Sequence, residues 1–372
     1  MTVYVTYMIR RVSWVTPTWF IDVDILIVPK LSEHFVINWT IIGQDCPAIF
    51  SRLKENENAH LSVKFLKTRC RWYLPTSFFE HLSLFKRIVA EQADIIYLDL
   101  APQLYAYYAS IRVLPRQKTV FATHNVKTPK GAKMEKMARY YMQQVLHHFY
   151  NFQVFSKNQR DYLLQQVKHK NVLYAPLALK EYGPKHERTQ YKDCVNFLSF
   201  GHIRRYKRID LLIEASQQLY EETGAKFVVT IAGNCSEWSL YARKIRHKEL
   251  FNLHIGYIDD GEVADLFSNA DYLVLPYQDL AQSGAITVAF NYDVPVITSD
   301  IPQFEEFVED GKNGFLFHSE DISSLKQVMR KALELNKKDY AELVCSTHQY
   351  VEANYSLAAI TEKYVNYFSK FV

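Results

Sequence analysis

The 372-residue sequence predicts an α/β protein of two Rossmann-like domains, and three observations carry that prediction. Apolar runs of strand length alternate with segments of helical periodicity along nearly the whole chain, the pattern of parallel strands joined by crossover helices. A polar stretch, Lys180-Glu181-Tyr182-Gly183-Pro184-Lys185 onward, interrupts the alternation near the middle and reads as a linker over 181–193. Beyond it, the strand Val195–Phe200 ends at Gly201 and runs through the basic loop His202-Ile203-Arg204-Arg205-Tyr206-Lys207-Arg208 into a helix. Open α/β sheets bind ligands at that strand-to-helix edge.

In the first domain, residues 1–180, Val3–Met8 reads as the opening strand and Ile9-Arg10-Arg11-Val12-Ser13-Trp14 as the loop after it, where the two arginines could meet a phosphate or simply face solvent. Strands follow at Phe35–Gly43, Leu61–Leu66, Ile95–Leu98, Thr119–Thr123, Phe152–Lys157 and Asn171–Pro176, each short, apolar and rich in β-branched or aromatic residues. Between Lys67 and Arg87 cations interleave with large aromatics. Residues 67–74 suit a membrane interface, and 77–91 suit a core-packed helix with Phe78, Leu82 and Phe85 turned inward. The same alternation would suit single-stranded nucleic acid, but no RNA-binding signature accompanies it and no nucleic acid is expected. The strand Thr119–Thr123 delivers His124 to its C-terminal end, a placement that His147-His148, inside a helical run, lacks. Lys127, Lys130, Lys133 and Lys136 then give a basic helix start suited to lipid phosphate or to solvent.

In the second domain, residues 194–355, Ile209, Leu212, Ile213 and Leu219 mark the helix after the basic loop. Further strands are expected at Phe227–Gly233, Asn252–Ile258, Ala270–Tyr277 and Val294–Ser299, with a polar loop Gln278–Ala285 that reaches Ser283-Gly284 as a helix begins. Helices follow at Ile322–Leu335, Tyr340–Glu352 and Leu357–Phe371, the last with Ile360, Tyr364, Tyr367 and Phe371 along one side. Lys207 with Arg204 or Arg205 could hold a growing negative charge, and the amides of Ser283 and Gly284 would add donors at a helix N-terminus.

Composition sets outer bounds. The net charge of +4 divides into +12 over residues 1–180 and −8 over the rest, so an anionic partner, a membrane surface or a phosphate-bearing ligand, is expected on the first half. Five scattered cysteines without a Cys-x-x-Cys suit free thiols in a reducing compartment. Arg10-Arg11 follows the first apolar run, the reverse of signal-peptide order, and no apolar stretch approaches spanning length. A cytoplasmic protein, with any membrane contact peripheral and at the inner face, is the expectation. Asp22-Val23-Asp24 imitates an Asp-x-Asp metal motif but lies far in sequence from the basic loop, and no metal is expected.

Gly201 with Lys207 six residues on, the Ala232-Gly233 and Gly256 turns, the Pro276 loop, Val294-Pro295-Val296-Ile297 and Glu309-Asp310-Gly311 with Gly314 follow one another in an order that resembles a known family. The family is the retaining GT-B glycosyltransferases, in particular the large family four (glycosyl transferases group 1), and weaker resemblance extends over nearly the whole chain. It implies two Rossmann-like domains facing across a cleft, with a terminal helix, 356–372, crossing back to the first. It implies a nucleotide-sugar donor, UDP- or GDP-linked, used as substrate without a further cofactor or metal. The transfer would be a hexosyl transfer with retention, to a glycan or lipid-linked acceptor in cell-surface polysaccharide synthesis. The catalytic residues would be His124, Lys207 and Arg204, with donor contacts from Gly201, Arg205, Gly233, Tyr257, Ile258, Gln282, Ser283 and Gly284. Family members commonly carry two glutamates eight positions apart before the Pro-Val strand, the second gripping the ribose; here those places fall on Leu280 and Val288, and Gln282-Ser283-Gly284 resembles the loop of branches that lack the pair. That departure motivates an alternative, a catalytically inert GT-B-like subunit that binds or stabilises a partner or acceptor. A sugar-nucleotide epimerase would need catalytic carboxylates that the sequence does not offer.

Overall fold

The structure, a computed structural model, describes residues 10–43, 47–70, 74–99, 104–126, 135–179, 182–190, 193–279 and 283–371. It divides into two compact units, one of residues 1–178 with 357–372, the other of residues 179–356.

In the first unit β1 (Arg11–Pro17), β2 (Val36–Gly43), β3 (Leu61–Lys67), β4 (Ile95–Asp99), β5 (Thr119–Thr123), β6 (Asn151–Val154) and β7 (Asn171–Tyr174) form one parallel sheet in the order β3-β2-β1-β4-β5-β6-β7. Successive side chains of a strand point to opposite faces, so the sheet feeds two cores. Val12, Trp14 and Tyr97 join one core with Ile360, Tyr364 and Phe368, while Val15, Ile96, Leu98 and Phe121 join the other with Leu84, Phe85 and Leu146. Strand order reverses between β1 and β4, which makes the C-terminal ends of those strands a switch point for ligands.

One expectation is corrected here. The stretch assigned to the first loop is largely β1, buried along its length after Arg11 and paired in register with β2 (Arg11↔Val36 to Pro17↔Ile42) and with β4 (Val12↔Ile95). Arg10 and Arg11 therefore sit at the strand's N-terminal end, opposite the ligand edge. The Arg10 guanidinium donates to the Phe368 carbonyl, and the Arg11 amide donates to Asp94 at 2.8 Å. Val3–Met8 lies outside the described residues. Helix Thr76–Ala90 packs inward through Ser77, His81, Leu84, Phe85 and Ile88, with Phe78 and Leu82 half-buried. The Arg69 and Cys70 amides donate to the Glu80 carboxylate at 2.6 and 3.1 Å, while Arg71, Trp72 and Tyr73 fall outside the described residues. The same holds for Lys127, Lys130 and Lys133; Lys136 is exposed on helix Glu135–His148.

Helix Leu357–Phe368 completes the first unit. Ile360, Tyr364, Tyr367 and Phe368 are buried, Tyr364 and Phe368 close to the stacked rings of Trp14 and Tyr97 (centroids 3.6 Å, 19°), and the Tyr367 hydroxyl donates to the Asn171 carbonyl at 3.0 Å.

In the second unit β8 (Val195–Phe200), β9 (Phe227–Gly233), β10 (Phe251–Ile255), β11 (Tyr272–Leu275), β12 (Val296–Ser299) and β13 (Gly314–Phe317) are parallel in the order β10-β9-β8-β11-β12-β13. Every residue of β11 and β12 is buried, as expected for strands covered on both faces. Helix Ile209–Thr223 buries Leu212, Ile213 and Leu219 and stops at Gly224, whose φ of +59° is the left-handed cap that glycine supplies freely. The stretch read as a linker is part of this unit. Arg188 pairs with Asp271 at 2.6 Å, and the Thr189 and Gln190 amides donate to the Asn269 side chain at 2.9 and 2.7 Å.

Candidate functional site

β8 stops at Gly201 because the chain must turn where side chains would collide. Gly201 has φ +100°, and a Cβ there would stand 3.2 Å from the Lys207 Nζ. Gly233, ending the adjacent β9, has φ +149°, and a Cβ on it would lie 2.2 Å from the Gly201 carbonyl oxygen. The two glycines thus let two strand ends close on each other and leave room beside the turn Arg205–Lys207.

Into that room projects Lys207. Its ammonium lies 5.0 Å from the centre of the Tyr277 ring, has no carboxylate partner among the described residues, and is lowered by burial to about 8. It lines a cavity of about 250 Å³ with Gly201, Tyr206, Tyr277, Ser283 and Gly284, closed on its apolar side by Tyr182, Phe200, Ala285 and Val288. Ser283 is the residue before helix Gly284–Asn291, and its hydroxyl is buried with no hydrogen-bond partner. A half-buried cation, an unsatisfied hydroxyl and the free amides of a helix N-terminus share one cavity, and each calls for an anion.

The other expected residues divide. Gly201, Lys207, Ser283 and Gly284 come together, and Gly233 backs the turn. Arg204 and Arg205 do not join them: both are exposed, and Arg205 reaches Glu237 at 3.2 Å and faces a different open cavity of about 380 Å³ with Arg208, Arg243 and Lys244. The reason is the tight turn, which gives successive side chains different directions; Arg208 takes φ +47° and turns its guanidinium to Asp210 and Glu320. Tyr257, 79% exposed, and half-buried Ile258 follow β10 and do not line the 250 Å³ cavity. Gln282 and Leu280 lie outside the described residues. Val288 does line it, so an aliphatic side chain occupies the wall where the resemblance would put a ribose-gripping glutamate. Sequence reasoning missed Tyr182, assigned to the linker, and Tyr206 and Tyr277, which carried no signal beyond flanking Lys207 and Pro276.

His124 lies in the first unit, directly after β5. Its ring is stacked between Phe20 (centroids 4.2 Å, 22°) and Phe155 (4.1 Å, 16°), and its Nε2 is 3.5 Å from Asp99 Oδ2. His147 instead holds the Gln143 carbonyl at 2.7 Å on the helix surface. Among the described residues no group of three His, Cys, Asp or Glu is placed to hold a metal ion. Asp24 turns inward, accepting from Trp14 Nε1 at 2.9 Å and from the Thr16 hydroxyl.

Residues 185–344 match the sequence model of the family described as glycosyl transferases group 1. The matched residues lie within the second unit. Among curated proteins, the poly(ribitol-phosphate) alpha-N-acetylglucosaminyltransferase of Staphylococcus aureus is 29% identical over 226 residues, 58% of this chain and 43% of the relative. The chain thus spans less than half the length of that relative. Among solved structures, a glycosyltransferase from Rickettsia africae has a TM-score of 0.73 at 14% identity, covering 98% of this chain and 99% of that one. Anabaena HepE, solved with UDP and glucose, has a TM-score of 0.70 at 12% identity, covering 97% and 99%. A mutant S. aureus TarM, solved with fondaparinux, alpha-GlcNAc-glycerol and UDP, has a TM-score of 0.59 at 19% identity over 78% and 59%. The fold is GT-B. The residues that match the family model lie in the unit that carries the Lys207 cavity.

Proposed function

We propose that the protein transfers a sugar from a nucleoside diphosphate sugar to a hydroxyl of a cell-surface glycopolymer or its lipid-linked precursor. The observation that carries this is the half-buried Lys207 ammonium, without a counter-ion among the described residues and set beside the N-terminus of helix Gly284–Asn291. Breaking the bond between the anomeric carbon and the diphosphate sends an electron pair to the departing phosphate oxygen. A fixed cation and oriented amides stabilise that charge far better than water does. The acceptor oxygen bonds to the anomeric carbon on the face the diphosphate leaves, and its proton passes to the departing oxygen, so configuration is retained and no metal is required. His124 supports the transferred sugar. UDP is the favoured nucleotide, since HepE and TarM were solved with it, and the S. aureus relative's name suggests a polyol-phosphate polymer as one acceptor class.

Exposed Phe79 and Tyr140, with exposed Lys86, Arg87, Arg112 and Lys136 on the same three helices of the first unit, support peripheral contact with an anionic membrane at its cytoplasmic face. No helix of the described residues is long and apolar enough to cross a membrane. Val288 in the cavity wall favours a second reading, an inert subunit that binds a partner or acceptor. Isothermal titration with UDP, GDP and their sugars separates the two. Micromolar binding that Lys207→Ala weakens supports transfer; no binding by any nucleotide sinks it.

A further inference from the structure

The first unit holds an acid that the transfer reading does not use. Asp99 ends β4, is fully buried, and neither of its carboxylate oxygens has a hydrogen-bond partner among the described residues. Leaving a buried carboxylate unpaired costs several kcal/mol, so such a group persists where a neighbour answers it. The neighbour is His124. β4 and β5 are adjacent and parallel with Asp99 opposite Ala122, which brings the residue just past β5 beside the carboxylate. The His124 Nε2 is buried, makes no hydrogen bond, and lies 3.5 Å from Asp99 Oδ2. Phe20 and Phe155 cover both faces of the ring, fixing its plane and leaving only its edges to meet partners.

A second buried acid lies close enough to matter. Asp24 accepts from Trp14 Nε1 and Thr16, and Thr16 in turn accepts from Trp39 Nε1 at 2.9 Å. Burial raises both carboxyls, and the Asp99 charge raises Asp24 further, whereas His124 draws Asp99 back down. A charge on Asp99 therefore disfavours a charge on Asp24. The titratable groups that act on the cluster are Asp22 and Asp24 from the turn after β1, Tyr97 from β4, Tyr107 from helix Leu104–Val113, and Tyr364 from the terminal helix.

We propose that Asp99 is a positioning residue for His124: its carboxylate takes the Nε2–H of the clamped ring, so that His124 presents its other edge in one orientation. The contact stands independently of the transfer reading, and only its consequence for turnover rests on that reading.

Imidazole nitrogen spectra of the ¹⁵N-histidine-labelled full chain test the contact, with His124→Gln identifying the signal. From about pH 5 to 9 the Nε2 of His124 should stay protonated. In Asp99→Asn, which keeps the side chain's shape but removes the charge, the preference of the neutral His124 ring for the Nε2–H over the Nδ1–H form should weaken at least about tenfold, whereas Asp24→Asn should change it less than about twofold. A bare Nε2 in the wild-type protein, or an unchanged ratio of the two ring forms in folded Asp99→Asn, overturns the proposal. The wild-type result decides even where the variant fails to fold. If UDP-sugar turnover is found, Asp99→Asn should lower kcat about 30-fold with donor KM within about threefold, and adding His124→Gln should lower it no further. A loss confined to KM, or additive losses, also overturns the proposal. Absence of turnover in the wild-type protein counts against transfer alone and leaves the spectra to judge Asp99.

Discussion

Lys207 holds its ammonium beside the Tyr277 ring with no counter-ion, and burial has already weakened its hold on the proton. An anion binds the ammonium form, which dominates below about pH 8 and is lost above it. Diphosphate affinity should therefore be flat up to that point and fall about tenfold per pH unit beyond it, as titration calorimetry with UDP across the range would show. Lys207→Ala should flatten the profile and weaken binding by roughly 10- to 100-fold. Ser283 separates binding from stability, because its hydroxyl has no partner to lose. Ser283→Ala should leave the thermal midpoint within about 2 °C while diphosphate affinity drops roughly threefold to tenfold. Gly233 does the reverse. A Cβ 2.2 Å from the Gly201 carbonyl forces the strand ends apart, so Gly233→Ala should cost on the order of 3 kcal/mol, read as a lower calorimetric midpoint.

Helix Leu357–Phe368 shows how a sequence-distant element completes a core. Tyr364 and Phe368 pack on Trp14 of β1 and Tyr97 of β4, far earlier in the chain. Tyr364→Ala should cost about 3 to 5 kcal/mol and lower the thermal midpoint, whereas Lys370→Ala at the exposed end should leave it unchanged. The helix was legible because Ile360, Tyr364 and Tyr367 repeat at helical spacing, and β11 and β12 were legible because burial on both faces writes an unbroken apolar run. β1 was not. Arg11–Pro17 opens on a charged residue and ends on a proline, and what makes it a strand is its pairing with β2 and β4, one 25 and the other more than 80 residues on. The linker failed for a related reason: Gly183-Pro184 does break periodicity, but Arg188 then meets Asp271, a partner no local pattern announces.

At the scale of the molecule, charge and chain organisation act over longer distances. The surplus of cations over residues 1–180 predicts flotation with anionic but not neutral vesicles, weakening as salt shortens the screening length to about 8 Å at physiological strength. Equal recovery on both vesicle types would count against membrane contact. The sequence by itself determined that two parallel α/β units follow one another, that Gly201 and Lys207 flank a tight turn after a strand, and that His124 ends a strand. These are local properties, set by periodicity and by residues a few positions apart. Tertiary structure alone decided which cation faces the cavity, since Arg204, Arg205 and Lys207 are equivalent in type and only the turn gives them different directions. It alone put Asp99 beside His124 and Val288 in the cavity wall, because sheet order joins strand ends that the chain separates, and burial is a property of that joining rather than of the residues themselves.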